Sequence, residues 1–189
     1  MTDQEMLSAG DRAVLLVEAR NAIRCALEGH RFARPAVSAA LETPAGAFVS
    51  LRLHGDLRGC IGTLDARRPL IDSVTDAAVS AATRDRRFLP LTLEELEQGD
   101  LEISVLGPFV PVEDPEEITV GRDGLLLRVG GMSGIFLPQV ATEQGWGRET
   151  CLDHLAIKAG LPRTAWRRPD ARLERFTAEV FGEGESRDA

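Results

Sequence analysis

Two stretches, each folded back on glycine, set most of what this chain can become. Residues 47–64 read AFVSLRLHGDLRGCIGTL and residues 123–138 read DGLLLRVGGMSGIFLP; both run strand, glycine turn, strand, the pattern of a β-hairpin. The first is expected to turn on Gly55-Asp56 within HGD, the second on Gly130-Gly131.

Helical spacing surrounds them. Residues 11–29 place Leu15, Ala19, Ala22, Ile23, Ala26 and Leu27 at three- and four-residue steps, with Asp11 as the expected cap and Gly29 as the stop. Residues 68–85 open on Pro69 and are rich in alanine. Residues 91–98 carry a capping box, Thr92 with Glu95. Residues 100–109 alternate as a strand, helices follow at about 139–144 and 148–159, and 172–181 predicts a last strand. Helices and hairpins without a regular βαβ rhythm give an α+β class: a mixed, mostly antiparallel sheet with hairpins, flanked by helices. One domain is expected over 8–182, with a polar tail at 183–189; PFVPVEDPEE at 108–117 is the place for any lobe boundary.

Composition narrows the partners. The net charge is −8, which disfavours nucleic acid because phosphate neutralisation needs a basic face. No apolar run reaches the roughly 18 residues of a membrane span, and MTDQEMLSAGDR lacks the basic and apolar pattern of a signal peptide, so a cytoplasmic protein is expected. The three cysteines, Cys25, Cys60 and Cys151, are widely spaced and odd in number, which argues against a disulfide framework or a zinc ribbon. His30, His54 and His154 show no metal-ligand spacing, and no nucleotide or cofactor motif is present, so neither a metal nor a cofactor is expected.

The chemistry concentrates in DLRGCIGT, residues 56–63. An even-length turn on Gly55-Asp56 pairs Leu53 with Arg58 and Leu51 with Cys60, so Arg58 and Cys60 share a face two residues apart. A guanidinium that close favours a thiolate, while Gly59 and Gly62 let a ligand or another backbone approach. Cys60 as nucleophile and Arg58 as its companion are thus candidate catalytic residues, with Gly59 and Gly62 as candidate ligand contacts. The plainer alternative is a small buried hydrophobe on the face of Val49, Leu51 and Leu53. TRDRRFLPL at 83–91 places Arg84, Arg86 and Arg87 past a helix end, where cations suit the dipole. Arg84 and Arg87 are the candidate anion contacts if that turn faces the Arg58 strand; WRR at 166–168 is a further basic cluster.

Six ordered blocks then resemble one family: LRGCIGTL (57–64), DRRFLPLTLEEL (85–96), LEISVLGP (101–108), GRDGLLL (121–127), LPQVATEQGWG (137–147) and CLDHLAIKAGLP (151–162). They are similar to the AMMECR domain family, whose members include component A of the AmmeMemoRadiSam system. The resemblance implies a larger and a smaller subdomain, with the R-G-C-x-G signature near the cleft. It implies as partners a Memo-type protein and a radical S-adenosylmethionine protein, with an anionic small molecule as a further candidate ligand. It implies no settled reaction. Two expectations follow: Cys60 as a nucleophile or radical-accepting thiol, or the chain as a non-catalytic accessory module for those partners.

Overall fold

The computed structural model describes residues 7–186. Two compact units emerge: residues 7–106 with 179–186, and residues 107–178. Residues 187–189 of the expected tail lie outside the described residues, and Glu183–Ser186 form a short 3-10 helix.

In the first unit, helix α1 spans Ala9–Leu27 and α2 Ala39–Glu42. Strands β1 (Ala47–Leu53) and β2 (Asp56–Thr63) form the first hairpin; helices α3 (Leu70–Thr83) and α4 (Leu93–Gln98) and strand β3 (Asp100–Leu106) follow. The cap of α1 differs from expectation. Ser8, in extended backbone, accepts from the Asp11 N–H, while Asp11 sits in the first turn and accepts from the hydroxyls of Ser8 and Ser38. The capping box of α4 forms as read, Thr92 and Glu95 each accepting from the other's backbone N–H. In the sheet, β1 pairs antiparallel with both β2 and β3, and the order is β2-β1-β3-β8, where β8 is Ala178–Gly182. One face carries Val49, Leu51, Leu101, Ile103 and Val105 into a core with Leu15, Ile23, Ile71 and Val74 of α1 and α3. The alanines of α3, Ala77, Ala78, Ala81 and Ala82, let its backbone lie close to the strands.

In the second unit, β4 (Val110–Pro111), β5 (Gly124–Val129), β6 (Met132–Phe136) and β7 (Arg172–Phe176) make a sheet of order β4-β7-β5-β6. Gly130 and Gly131 turn the hairpin with φ of 55° and 88°, as the sequence predicts. Helices α5 (Pro138–Glu143) and α6 (Arg148–Lys158) follow it, and α6 buries Cys151, Leu152, Leu155 and Ala156 among Leu125, Leu127 and Val129 of β5. The stretch 172–181, expected as one strand, is two: β7 and β8 break at Thr177, whose carbonyl accepts from the Gly107 N–H, and they enter different sheets.

Candidate functional site

The first hairpin turns one residue earlier than its glycine suggested. His54 and Gly55 occupy the turn with φ of 53° and 89°, the paired positive values of a tight two-residue hairpin connection. Leu53 therefore pairs with Asp56, and Arg52 with Leu57. The ladder then slips by one: Leu51 faces Gly59 and Ser50 faces Cys60, leaving Arg58 as the extra residue of a β-bulge. This corrects the expected pairs Leu53–Arg58 and Leu51–Cys60.

The slip changes what Cys60 sees. Directly opposed residues project to one face of an antiparallel pair, so Cys60 shares a face with Ser50 and not with Val49 and Leu51. Those two are buried in the core, and Ile61 packs against it beside them. Cys60 is half-buried, and the Ser50 hydroxyl donates to its Sγ at 3.3 Å. The expectation of a small hydrophobe on the core face is overturned by the bulge.

The backbone of Cys60 is held on both sides. Its N–H donates to Asp85 Oδ2 at 2.9 Å, and its carbonyl accepts from Arg87 Nη2 at 3.4 Å. Asp85 and Arg87 form a bidentate pair, Nε to Oδ1 at 2.9 Å and Nη2 to Oδ2 at 2.6 Å. The pair occupies the outward hydrogen-bonding positions of an edge strand, as a neighbouring strand would. The Asp85 side chain is only 7% exposed, and the Arg87 guanidinium holds its carboxyl well below the usual carboxylate range, helped by the Cys60 N–H.

Arg58, released from the alternation by the bulge, goes to the turn between α3 and α4. Its Nε and Nη2 grip Glu95 at 2.8 and 3.0 Å, its Nη1 donates to Leu89 O at 2.9 Å, and Nη2 reaches Pro90 O at 3.4 Å. Four of the five guanidinium N–H groups are engaged in this way. Arg58 also lies over the Phe88 ring, 5.8 Å from its centroid. Glu95, a capping residue by sequence, is thereby also the anchor of the bulge, and Arg58 lowers its pKa.

Both motif glycines are filled by the protein itself. A Cβ on Gly59 would stand 2.4 Å from the Ala81 carbonyl oxygen, and one on Gly62 2.3 Å from the Phe48 ring. Of the arginines past α3, Arg87 is brought to the motif, while Arg84 and Arg86 are exposed and make no ion pair among the described residues. In the second unit the WRR cluster is paired within that unit, Arg167 with Glu149 and Arg168 with Asp170. Sequence reasoning missed Ser50, Asp85 and Glu95 as members of the site. Only the capping box gave a signal for one of them. Among the described residues, no three His, Cys, Asp or Glu side chains gather as a metal site, and no helix is long and apolar enough to cross a membrane.

Fold and site together define an α+β protein with two four-stranded sheets, one of which carries a clamped thiol hairpin. The AMMECR1 family model matches residues 16–181, nearly the full length, and the chain belongs to the AMMECR1 family. It is similar to a protein of Methanothermobacter thermautotrophicus, 47% identical over 144 residues that cover 73% of this chain and 75% of that one. A protein of Methanopyrus kandleri is 39% identical over 191 residues, 96% and 92% of the two chains. The crystal structure of an uncharacterized protein from Pyrococcus horikoshii superposes with a TM-score of 0.86 at 38% identity, covering 90% of each chain.

Proposed function

We propose that the R-G-C-x-G hairpin is a thiol site at which Cys60 takes up an electrophilic small molecule, in a protein acting like component A of the AmmeMemoRadiSam system. The carrying observation is the contrast at Cys60 itself: its main chain is clamped by Asp85 and Arg87, while its sulfur stands on the half-buried sheet face beside the Ser50 hydroxyl. The clamp fixes the position of the sulfur, and the hydroxyl is a donor aimed at it that can hydrogen-bond negative charge there. Arg87 is 56% exposed and keeps a cation beside the motif for an anionic group on the same molecule. The reading sets the protein in the reducing cytoplasm, where its three free thiols persist.

The test is competitive alkylation of the folded protein with iodoacetamide, read by peptide mass spectrometry. Cys60 is expected to react several-fold faster than Cys25, which is also half-buried, on α1. Cys151 is the internal control: burial pushes its thiol up to about 11, and it should stay unmodified until the protein unfolds. Equal rates at Cys60 and Cys25, or a silent Cys60, would sink the proposal.

A second reading, the accessory module, has its own observation. Leu89 is 83% exposed, yet its carbonyl is pinned by Arg58, and Arg84 and Arg86 flank the turn as exposed cations. An apolar side chain on an ordered turn loses little entropy on docking. A Memo-like or radical S-adenosylmethionine partner with an apolar pocket and an acidic rim would engage it. Titrating each such protein against the wild type and Leu89→Asp decides the matter: affinity lost in the variant supports docking here, and unchanged affinity removes it.

A further inference from the structure

We infer that the outer face of the second sheet carries a binding site for a small polyol phosphate, with Arg128 and Arg172 on the phosphate and Asp170 on the hydroxyls. The inference goes beyond the thiol reading and does not depend on it. Arg128 opposes Ser133 in the β5–β6 ladder and Arg172 in the β5–β7 ladder. Opposed residues in antiparallel strands project to the same face, so Ser133, Arg128 and Arg172 form one row across β6, β5 and β7. All three are exposed. The opposite face belongs to α6, against which Leu125, Leu127 and Val129 are buried.

Two guanidinium groups set directly across a ladder repel each other, and an anion between them removes the repulsion. The donors for it are unused. Arg172 makes no hydrogen bond or ion pair among the described residues, and neither does the Ser133 hydroxyl. Arg128 gives only Nη1 to Glu174. A carboxylate ligand has two oxygens to place. A phosphate monoester has three, and matches two guanidinium forks and a hydroxyl.

The row opens on two depressions that share the arginines, and their charges separate them. The one beside β4 also holds Glu113 and Glu174. The one at the hairpin, about 310 Å³, holds Ser133, Gly130, Gly131 and a single acid, Asp170. A Cβ on either glycine would meet nothing within 4 Å, so that rim is open. The volume exceeds what phosphate alone fills and lies at the lower end of small-molecule sites. Asp170 is held by Arg168, which makes one bond to each carboxylate oxygen. Each oxygen keeps a lone pair for a hydroxyl. Cations at one end and a fixed hydroxyl acceptor at the other select a phosphorylated polyol.

The test is titration of the isotope-labelled protein with glycerol phosphate, and separately with inorganic phosphate, in a phosphate-free buffer, followed by amide NMR. The signals of Gly130, Gly131 and Ser133 should move and saturate with a dissociation constant of about 1 mM, and inorganic phosphate should bind several-fold more weakly. Arg172→Thr removes the unpaired guanidinium and should weaken both ligands about tenfold, with a melting temperature no lower than that of the wild type. Arg31→Thr, the same charge change at an exposed residue of the first unit, should leave both unchanged. Asp170→Ala should weaken glycerol phosphate several-fold and spare inorganic phosphate. A bare charge effect would instead strengthen both, because a carboxylate has been removed. Equal binding of the two ligands by the wild type, or unweakened glycerol phosphate in Asp170→Ala, overturns the polyol assignment. Shifts that do not saturate, or losses of equal size in Arg31→Thr, overturn the site itself.

Discussion

The two hairpins of the molecule are built alike and used differently. Each turns on two residues of positive φ, and each lies in a four-stranded sheet. The β5–β6 ladder runs in unbroken register from Leu125 with Phe136 to Val129 with Met132, and α6 covers one face of it. The β1–β2 ladder slips at Arg58, and its edge strand is tied by side chains from the turn after α3 and from α4. The same contrast separates the cysteines: Cys151 is buried under the regular hairpin, and Cys60 is half-buried on the irregular one. A bulge costs ladder hydrogen bonds and re-aims side chains. Here it sends Arg58 to Glu95 and turns the sulfur away from the core. Regularity serves packing in one unit; in the other, irregularity presents a thiol.

The largest expected effect tests how tightly the irregular strand is held. Gly59→Ala forces a Cβ against the Ala81 backbone oxygen, which cannot move without shifting α3, and should cost about 3 kcal/mol. Gly131→Ala in the regular hairpin meets nothing within 4 Å and should cost only the price of positive φ, about 1 kcal/mol. Urea denaturation of both variants measures the gap. Equal losses would mean that β2 does not depend on close approach to α3.

An aspartate–arginine latch occurs in both units, and this allows a sharper comparison. Asp123, its side chain 1% exposed, accepts from the Thr119 N–H at 2.8 Å and pairs with Arg122 next to it. Burial would raise its pKa, but Arg122 and the Thr119 N–H outweigh burial and lower it. Asp123 thus ties its own loop, whereas Asp85 ties a strand 25 residues away. Both carboxyls titrate lower in the folded state than unfolded, so each adds stability that is full well above about pH 4 and fades as pH falls below it. Asp85→Asn should lose about 2 kcal/mol at neutral pH, and should converge on the wild type under acid. It should also change the Cys60 alkylation rate. Asp123→Asn should show similar acid convergence and leave Cys60 untouched. If Asp123→Asn alters Cys60 equally, the clamp on the motif is not what positions the sulfur.

The periodicities of α1, α3 and both hairpins were legible because each repeats over many residues, and so was the capping box at Thr92. The site was legible only as a motif. HGD fits a turn on either dipeptide, and the choice of His54-Gly55 depends on a non-glycine residue accepting positive φ. The bulge has no local signature at all: Arg58 is extra because Glu95 and the carbonyls of Leu89 and Pro90, over thirty residues on, receive its guanidinium. Asp85 was hidden among arginines and read as part of a basic cluster. Its role needs the Cys60 N–H, which only the folded edge strand brings to it. The break at Thr177 was invisible for the same reason, since RLERFTAEVF holds no glycine or proline to divide it while its halves join different sheets.

The smallest effect concerns charges that nothing latches. In the second sheet Arg128 directly opposes Arg172 on β7. Arg128 pairs with Glu174, and Arg172, exposed, makes no ion pair among the described residues. Like charges directly opposed destabilise a sheet, and β-branched residues suit the position. Arg172→Thr should therefore stabilise the protein by about 0.5 kcal/mol, with the gain shrinking as added salt screens the repulsion. The corresponding change at the motif, Arg87→Thr, removes a cation that is latched to Asp85 and should instead destabilise at every salt concentration. Thermal melts of the two variants in low and high salt give opposite signs if the two sheets differ as described, and a stabilising Arg87→Thr would erase the distinction between them.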